Sequence, residues 1–346
     1  MTKKVNVAVV GATGAVGAQM MEILAERNFP VKDLFALASS RSAGDVLHYG
    51  KNKRETTVLP LDSFDFSRAD IALFSAGGAI SGQYAPIAAK AGCIVVDNSS
   101  KFRADADVPL VVSEVNAHAL AGYGARNIIA NPNCSTMQML VAVKPVYDAA
   151  GIRRINAATY QAASGAGRRA LEDLAKQSAA LLSGADVGES VFPARLAFNV
   201  VPHIDVFEEN GYTREEMKMA VETQKILGDD SVLVNATAVR VPVFYGHAIA
   251  AHLETAQKIS AGEVRKLLQD APGVCVMDEC QAGGYPTPSI DAAGKDEVFV
   301  GRIREDITHE RGINLWIVSD NTRKGAALNA VQIAELLVAG YLGGGG

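Results

Sequence analysis

The sequence predicts an α/β fold divided into two domains, and three observations lead to this prediction. Short apolar runs in the first part of the chain alternate with segments of helical spacing, an order typical of a parallel sheet joined by crossover helices. Beyond residue 134 the apolar runs are longer and rich in β-branched residues, which is typical of a mainly antiparallel sheet. The chain has 346 residues, more than the ~250–300 at which a single hydrophobic core stops growing.

The first domain is predicted over residues 1–132 and begins with a strand, a glycine turn and a helix. Its predicted elements are the strands Val5–Val10, Leu34–Ala38, Ile71–Phe74 and Cys93–Val96 and the helices Ala18–Arg27 and Gly82–Ala91. Glycines in the first turn let the backbone approach a pyrophosphate that faces helix N–H groups. The pattern favours a Rossmann-type dinucleotide-binding domain over a tight turn without a ligand. The candidate cofactor contacts are Gly11, Thr13, Gly14, Ala15 and Val16.

The end of the second predicted strand favours NADP over NAD. An NAD-binding domain usually has an acidic residue there for the ribose 2′-hydroxyl, whereas this chain has Ser39, Ser40, Arg41 and Ser42. Hydroxyl groups and a guanidinium can bind a 2′-phosphate, which a carboxylate would repel. The alternative interpretation is a polar loop with a solvated arginine.

The second domain is predicted over residues 133–322 as an α+β domain. Its predicted elements are the helices Ser135–Ala150, Arg168–Leu182 and Ala261–Asp270 and the strands Asn156–Gln161, Val232–Val243, His247–Ala256, Val298–Ile303 and Asn314–Ser319. The strongly apolar segment Lys324–Tyr341 predicts a further helix. The closing residues Gly343–Gly346 are interpreted as a tail and play no part in the fold prediction.

Composition excludes several classes of function. The net charge of −5, without a run of Lys or Arg, argues against nucleic acid or an anionic membrane surface as the main partner. No stretch approaches ~18 apolar residues and the start of the chain lacks a signal-peptide pattern, so we expect a cytoplasmic protein without a membrane span. The four cysteines show no metal-ligand spacing, and no metal is expected.

Cys134 is the candidate nucleophile. It lies where an Asn-Pro-Asn loop becomes a helix, so unpaired N–H groups and the positive end of the helix dipole should favour its thiolate. Of the six histidines, His247 is the candidate acid/base, because it follows Gly246 and comes soon after Arg240. A thiolate, an imidazole and a nicotinamide together can oxidise an aldehyde through a thioester that phosphate then cleaves.

With these residues in place, the chain resembles the aspartate-semialdehyde dehydrogenase family over essentially its whole length. The matching blocks are Gly11–Gly17, Asn131–Thr136, Gln161 with Ser164 and Gly165, Glu215–Lys218, Arg240–His247, and Ser319–Asn321. Several ordered blocks are more specific than any single motif. The resemblance implies NADP-dependent interconversion of L-aspartyl 4-phosphate and L-aspartate 4-semialdehyde, in the biosynthesis of lysine through diaminopimelate, threonine and methionine.

The resemblance also implies roles for individual residues. Cys134 would be the nucleophile, Gln161 an orienting hydrogen-bond group and His247 the acid/base. Arg240 would bind the substrate α-carboxylate, Glu215 its ammonium group, and Arg103 and Lys218 the phosphate. Further cofactor contacts would be Ser164, Gly165, Asn321 and the Ser75–Gly78 loop, including Gly78. Without the resemblance, Glu215 with Lys218 would be a solvated i,i+3 ion pair and Arg103 a member of a surface ion pair.

The family fold implies a dinucleotide domain completed by the C-terminal helix, residues 323–342, and a catalytic domain that forms a homodimer or a tetramer. Three alternatives remain open. A glyceraldehyde-phosphate-dehydrogenase-like enzyme has the same chemical logic, but its substrate has a phosphate in place of the carboxylate and the ammonium group. N-acetyl-γ-glutamyl-phosphate reductase shares the cysteine, the histidine and the phosphate chemistry, but its acetylated substrate has no ammonium group for Glu215. A non-catalytic NADP-binding regulator would leave Cys134, Gln161 and His247 as coincidences.

Overall fold

The computed structural model of the protein describes residues 3–342, so the tail Gly343–Gly346 lies outside the described residues. The chain forms two compact units, with boundaries after Pro132 and after Gly325. Unit 1 contains the residues up to Pro132 and those from Ala326 onward, and unit 2 is Asn133–Gly325. No helix within residues 3–342 is long and apolar enough to cross a membrane.

Unit 1 is built on a seven-stranded sheet in the order β3-β4-β2-β1-β5-β6-β7. All neighbouring strands are parallel except the β3–β4 hairpin. The strands are β1 Val5–Val10, β2 Val31–Ala38, β3 Val46–Tyr49, β4 Arg54–Pro60, β5 Ile71–Phe74, β6 Ile94–Asp97 and β7 Ile128–Ala130. The first helices are α1 Ala15–Glu26, α2 Gly78–Lys90 and α3 Ser113–Asn116. The central strands β1 and β5 are apolar and almost fully buried, because helices cover both faces of a parallel sheet.

Unit 2 is built on a six-stranded sheet in the order β11-β12-β13-β10-β8-β9. Its strands are β8 Ile152–Gln161, β9 Leu233–Arg240, β10 His247–Thr255, β11 Val274–Val276, β12 Val298–Glu305 and β13 Gly312–Ser319. Its helices are α4 Cys134–Ala150, α5 Arg168–Ser183, α6 Arg214–Leu227 and α7 Ala261–Gln269. The three central pairings are antiparallel and the two outer ones parallel. The predicted α/β class, with a second, mainly antiparallel sheet, is confirmed.

The C-terminal helix α8, Leu328–Gly340, packs into the core of unit 1. Its apolar residues join those of α1 and β1 in one hydrophobic cluster. The helix begins at Leu328 rather than near residue 323, because Arg323–Ala327 forms a wider π-helical turn first. Unit 2 accordingly extends to Gly325, beyond the predicted boundary at residue 322.

One hairpin of two strands and two single short strands were not predicted. The hairpin of β3 and β4 lies at the sheet edge and is largely exposed, so its residues lack a sustained apolar pattern. β7 and β11 contain only three residues each, too few for a periodicity to be recognised. In all three cases strand pairing with distant residues, rather than local pattern, determines the element.

One face of the unit 2 sheet carries the chain's single tryptophan, Trp316. Its indole Nε1 donates a hydrogen bond to the Pro286 carbonyl at 2.9 Å. The ring lies 5.5 Å from that of Tyr160 on β8. The tryptophan is therefore held in a defined environment on the sheet.

Candidate active site

Cys134 is the first residue of α4, and Asn133 caps this helix. The Oδ1 atom of Asn133 accepts hydrogen bonds from the backbone N–H groups of Ser135 at 2.9 Å and Thr136 at 3.2 Å. The carboxylate of Glu222 accepts the backbone N–H of Asn133 at 2.6 Å. Cys134 thus lies at the positive end of a well-capped helix, where a thiolate is favoured. Asn133 was not among the predicted site residues.

Glu215, on the first turn of α6, is the centre of a buried polar cluster. Its carboxylate accepts hydrogen bonds from Asn133 Nδ2 at 2.8 Å, Gln161 Nε2 at 3.2 Å and Lys218 Nζ at 3.2 Å. Burial alone would raise the pKa of Glu215, but the Lys218 charge and the two amides lower it below its ordinary value. Glu215 is only 6% exposed, so it does not form the solvated pair that the sequence left open.

Lys218 is held between two carboxylates. Its Nζ lies 2.7 Å from the carboxylate of Asp205 and 3.2 Å from that of Glu215. Burial opposes the charged form, but Glu215 and Asp205 raise the pKa of Lys218 above its ordinary value. Asp205, which sequence analysis missed, is a non-glycine residue with positive φ. Lys218 is therefore a fixed positive charge beside Glu215.

Arg240 lies at the end of β9, where the parallel register with β8 pairs it with Gln161. Its Nη1 donates a hydrogen bond to the Ala162 carbonyl at 2.8 Å. Burial lowers the pKa of Arg240, while the charges of Cys134 and Glu215 oppose that shift. The guanidinium is thus close enough to the sulfur of Cys134 for the two to interact electrostatically.

His247 is the first residue of β10 and is fully buried. Its Nδ1 accepts a hydrogen bond from the Ala162 N–H at 3.0 Å, which assigns the proton of the neutral ring to Nε2. The buried Nε2 has no hydrogen-bond partner among the described residues. Burial, and then the nearby charge of Arg240, hold the pKa of His247 well below its ordinary range. The ring is therefore a neutral donor toward any ligand oxygen near Nε2.

Ser164, Gly165 and Asn321 lie near His247 in unit 2. Asn321 Oδ1 accepts hydrogen bonds from Ser164 Oγ at 3.0 Å and from the Gly246 N–H at 3.1 Å. A Cβ on Gly165 would lie 3.3 Å from His247 Nε2. A side chain at position 165 would therefore crowd this imidazole and the Arg240 guanidinium.

The glycine turn in unit 1 has the geometry that close approach to a dinucleotide requires. Gly11 has a φ of +87°. A Cβ on Gly17 would lie 2.2 Å from the Gly11 carbonyl oxygen, so α1 can approach the turn only with glycine there. These features and the adjoining cavity of about 460 Å³ fit a bound dinucleotide. The cavity is lined by Gly11, Thr13, Gly14, Ala38, Ser39, Ser40, Leu61, Asp62, Ser75, Ala76, Ile80 and Tyr84.

The structure separates the predicted cofactor contacts into groups. Within unit 1, Gly11, Thr13, Gly14 and Ser39 line the cavity. Ala15 and Val16 lie in the first turn of α1, and Gly78 starts α2. Arg41 and Ser42 lie in the adjacent 3-10 turn Ser40–Ser42 but do not line the cavity. The lining also contains Asp62, Ile80 and Tyr84, which sequence analysis missed because they follow strands or lie on helices distant in sequence.

Arg103 in unit 1 is held by backbone carbonyls. Its Nε donates to the carbonyl of Asn131 at 2.9 Å, and its Nη2 to that of Asn98 at 3.0 Å. The neighbouring carboxylates of Asp105 and Asp107 bind Arg126. The Arg103 guanidinium is thus bonded to carbonyls from two separate segments of the chain.

Comparisons with known proteins cover the whole chain. Two family models match: the NAD binding domain of semialdehyde dehydrogenases over residues 6–123 and their dimerisation domain over residues 143–324. The aspartate-semialdehyde dehydrogenase of Shewanella violacea is 58% identical over 341 residues, which are 99% of this chain and 100% of the relative. Aspartate-semialdehyde dehydrogenase 2 of Vibrio cholerae is 56% identical over 341 residues, 99% of this chain and 100% of the relative.

Solved structures give the same result. The structure of aspartate semialdehyde dehydrogenase II from Vibrio cholerae, complexed with ASA, has a TM-score of 0.96 at 55% identity and covers 98% of this chain and 100% of its own. The aspartate semialdehyde dehydrogenase of Candida albicans, with NADP, has a TM-score of 0.76 at 26% identity and covers 97% of this chain and 98% of its own.

We predict that the His247 ring stays neutral, with its proton on Nε2, between about pH 6 and 8, because its pKa lies below the ordinary value of about 6.5. Nitrogen-15 NMR of labelled imidazoles measures this directly. Below about pH 6.5 the unfolded chain binds a proton at His247 that the folded chain does not bind. Protonation of His247 in the unfolded chain therefore lowers the free energy of unfolding as the pH falls. In Arg240→Gln the titration midpoint should rise. A titration midpoint of His247 near the ordinary value of about 6.5 in the wild-type protein would contradict the prediction of a neutral ring.

Proposed function

The chain belongs to the aspartate-semialdehyde dehydrogenase family, and from this premise we propose how its residues perform the reaction. The protein is an oxidoreductase of amino-acid biosynthesis that uses a nicotinamide dinucleotide. It interconverts L-aspartyl 4-phosphate and L-aspartate 4-semialdehyde. We propose a covalent route through a thioester on Cys134. The observation that carries this proposal is the position of Glu215 and Arg240 beside the capped start of α4, with His247 bonded to the same Ala162 residue as Arg240.

Cys134 begins the reaction as a thiolate that adds to the aldehyde carbon. The N-terminus of α4 and the charge of Arg240 stabilise this anion. The resulting hemithioacetal oxygen is negatively charged and requires a donor. His247 supplies one at Nε2, where the buried N–H has no partner among the described residues. Phosphate later attacks the thioester carbonyl and releases the Cys134 thiolate.

The acid/base role that the sequence predicted for His247 depends on which ring nitrogen carries the proton. As a base, the ring would need a bare Nε2, with its proton on Nδ1, before the transfer, and protons on both nitrogens after it. The Ala162 N–H that faces Nδ1 and the charge of Arg240 oppose the second arrangement. We therefore propose that His247 stabilises the oxyanion by a hydrogen bond, and the carbonyl re-forms from this anion without a further proton acceptor.

Two charged side chains suit the carboxylate and the ammonium group of an amino-acid aldehyde. Arg240 offers a planar fork for the α-carboxylate. Glu215 is buried yet has a lowered pKa, so it is ionised and can meet the ammonium group. Gln161 orients Glu215 through its Nε2. An acetylated nitrogen would leave this carboxylate without a charged partner, so the N-acetyl-γ-glutamyl-phosphate reductase alternative is not favoured.

The glycine turn would hold the dinucleotide pyrophosphate at the start of α1, with Ser164, Gly165 and Asn321 as contacts in unit 2. When bound, the nicotinamide exchanges a hydride with the substrate carbon. We propose NADP as the cofactor, because Ser39, Arg41 and Ser42 can bind a 2′-phosphate. The Candida albicans relative was solved with NADP. Asp62 in the cavity lining acts against this preference by its charge.

We further propose that Arg103 and Lys218 bind the phosphate, since backbone carbonyls hold the first and two carboxylates hold the second in a defined position. The match to a dimerisation domain supports a homodimer. A non-catalytic regulator would need neither the ionised Glu215 nor the Nε2 donor of His247.

The purified protein should reduce NADP in the presence of phosphate and aspartate semialdehyde. It should be inactive with N-acetylglutamate semialdehyde and glyceraldehyde 3-phosphate. Cys134→Ser should lower turnover by about 10⁴-fold, because the nucleophile is lost, while NADP binding measured by calorimetry is unchanged. Retained turnover in Cys134→Ser would remove the thioester from the mechanism.

Adjacent glutamates provide a matched pair of variants. Glu215→Gln should lower kcat/KM for aspartate semialdehyde by about 100-fold, because the buried charge that meets the ammonium is lost. Glu216 instead accepts the N–H groups of Thr213 and Ala238. Glu216→Gln should therefore lower the free energy of unfolding by about 1 kcal/mol with little change in kcat/KM. Similar kinetic losses in both variants would contradict the role of Glu215.

Arg41→Ala should weaken NADP binding about tenfold more than NAD binding, because only NADP has the 2′-phosphate. Asp62→Asn should shift the preference in the opposite direction, since it removes a repelling charge from the cavity lining. Dissociation constants from fluorescence titration with both cofactors measure the effect. Equal losses of NADP and NAD affinity in Arg41→Ala would mean that Arg41 does not contact the 2′-phosphate.

A further inference from the structure

Three asparagine side chains form a buried relay in unit 1. Asn329 on α8 donates from Nδ2 to Asn131 Oδ1 at 2.6 Å. Asn131 in turn donates from Nδ2 to Asn98 Oδ1 at 2.6 Å. We call Asn329, Asn131 and Asn98 the asparagine relay. It connects the C-terminal helix to the carboxyl ends of β6 and β7, where parallel register places Asp97 beside Ala130.

Hydrogen bonds at both ends fix the relay. Asn131 Nδ2 also donates to the Ala326 carbonyl at 3.0 Å. Asn329 donates to the Val111 carbonyl at 2.8 Å and accepts the Ser113 N–H at 3.1 Å. Asn131 and Asn329 are fully buried, so neither amide can exchange these partners for water without cost. The side chain of Asn131 therefore has one orientation, which the C-terminal segment determines.

The relay residues that follow β6 and β7 are also the residues that hold Arg103. Its Nε binds the carbonyl of Asn131, and its Nη2 binds that of Asn98. These bonds reach the guanidinium from two segments of chain, which are joined by the backbone bond from the Asn131 N–H to the Asp97 carbonyl and by the Asn131–Asn98 side-chain bond. Because the guanidinium is planar, two bonds to separate carbonyls define both its position and the direction of its fork.

We propose that Asn329 is a positioning residue for the phosphate subsite, acting through Asn131 and Asn98 on the guanidinium of Arg103. The C-terminal helix thereby completes an anion site whose residues, from Asn98 to Asn131, lie 231 to 198 positions before Asn329 in the chain. The inference rests on the proposed phosphate role of Arg103. Asn329 itself needs no contact with substrate or cofactor.

The test measures KM for inorganic phosphate, for aspartate semialdehyde and for NADP in Asn329→Ala, Arg103→Ala and the double variant. Loss of the relay should raise the KM for phosphate about fivefold to tenfold in Asn329→Ala, because the Arg103 fork loses its defined direction. The other two KM values should change by less than about twofold. In the Arg103→Ala background, Asn329→Ala should add no further increase, since the guanidinium it positions is absent.

Asn116→Ala is the matched control. Asn116 is a buried asparagine of the same unit that binds the Val112 N–H and the Leu110 carbonyl, outside the relay. It should reduce stability to a similar extent without a selective change in the KM for phosphate. Should Asn329→Ala fail to fold, Asn98→Ala removes the half-buried end of the relay while retaining the backbone carbonyl that binds Arg103. The same comparisons then apply to it.

Three results would overturn the inference: equal changes in Asn329→Ala and Asn116→Ala, a parallel rise of all three KM values, or an undiminished effect in the Arg103→Ala background. If Arg103→Ala raises the KM for phosphate and Asn329→Ala does not, the positioning role of Asn329 is wrong and the role of Arg103 stands. If Arg103→Ala leaves the KM for phosphate unchanged, the proposed role of Arg103 is wrong and the inference fails with it.

Discussion

The buried carboxylate of Glu215 is the constraint on which the rest of the site in unit 2 depends. An ionised group in a low-dielectric interior is stable only when its oxygens are fully bonded. Here the partners come from three elements: Asn133 before α4, Gln161 at the end of β8, and Lys218 one helical turn along α6. Loss of one partner from such a cluster costs about 3–5 kcal/mol. The carboxylate that we propose as the partner of the substrate ammonium therefore also holds these three elements in place.

The sheet of unit 2 sets the other half of the geometry. Parallel pairing of β8 with β9 places Gln161 beside Arg240. Antiparallel pairing of β10 with β8 brings His247 to the same end of these strands. The Ala162 residue just beyond β8 then bonds to both, donating its N–H to His247 and accepting from Arg240. One peptide segment thus fixes the tautomer of the imidazole and the position of the guanidinium.

Local pattern was sufficient to predict much of the fold, and it led to a proposal for the residues with reactive groups. β1 and β5 were predicted with the bounds they have, because a buried parallel strand is an uninterrupted apolar run. Cys134 and His247 were identified by chemistry and position along the chain. Asn133, Asp205 and Asn329 were missed, because their roles arise only when distant segments meet. Asparagines in a loop or a helix carry no sign of their partners in sequence, and the edge hairpin of β3 and β4 is defined by pairing rather than by hydrophobic period.

The presence of a single tryptophan, Trp316, has a practical consequence. Because the chain contains one tryptophan, indole emission excited near 295 nm comes from a single site, one that lies against Tyr160 on the sheet of unit 2. The wavelength and anisotropy of this emission will change when solvent reaches the face of the sheet that carries Trp316. The protein thus contains an intrinsic optical reporter that distinguishes events on the dimerisation-domain sheet from events in the nucleotide-binding unit, without any label.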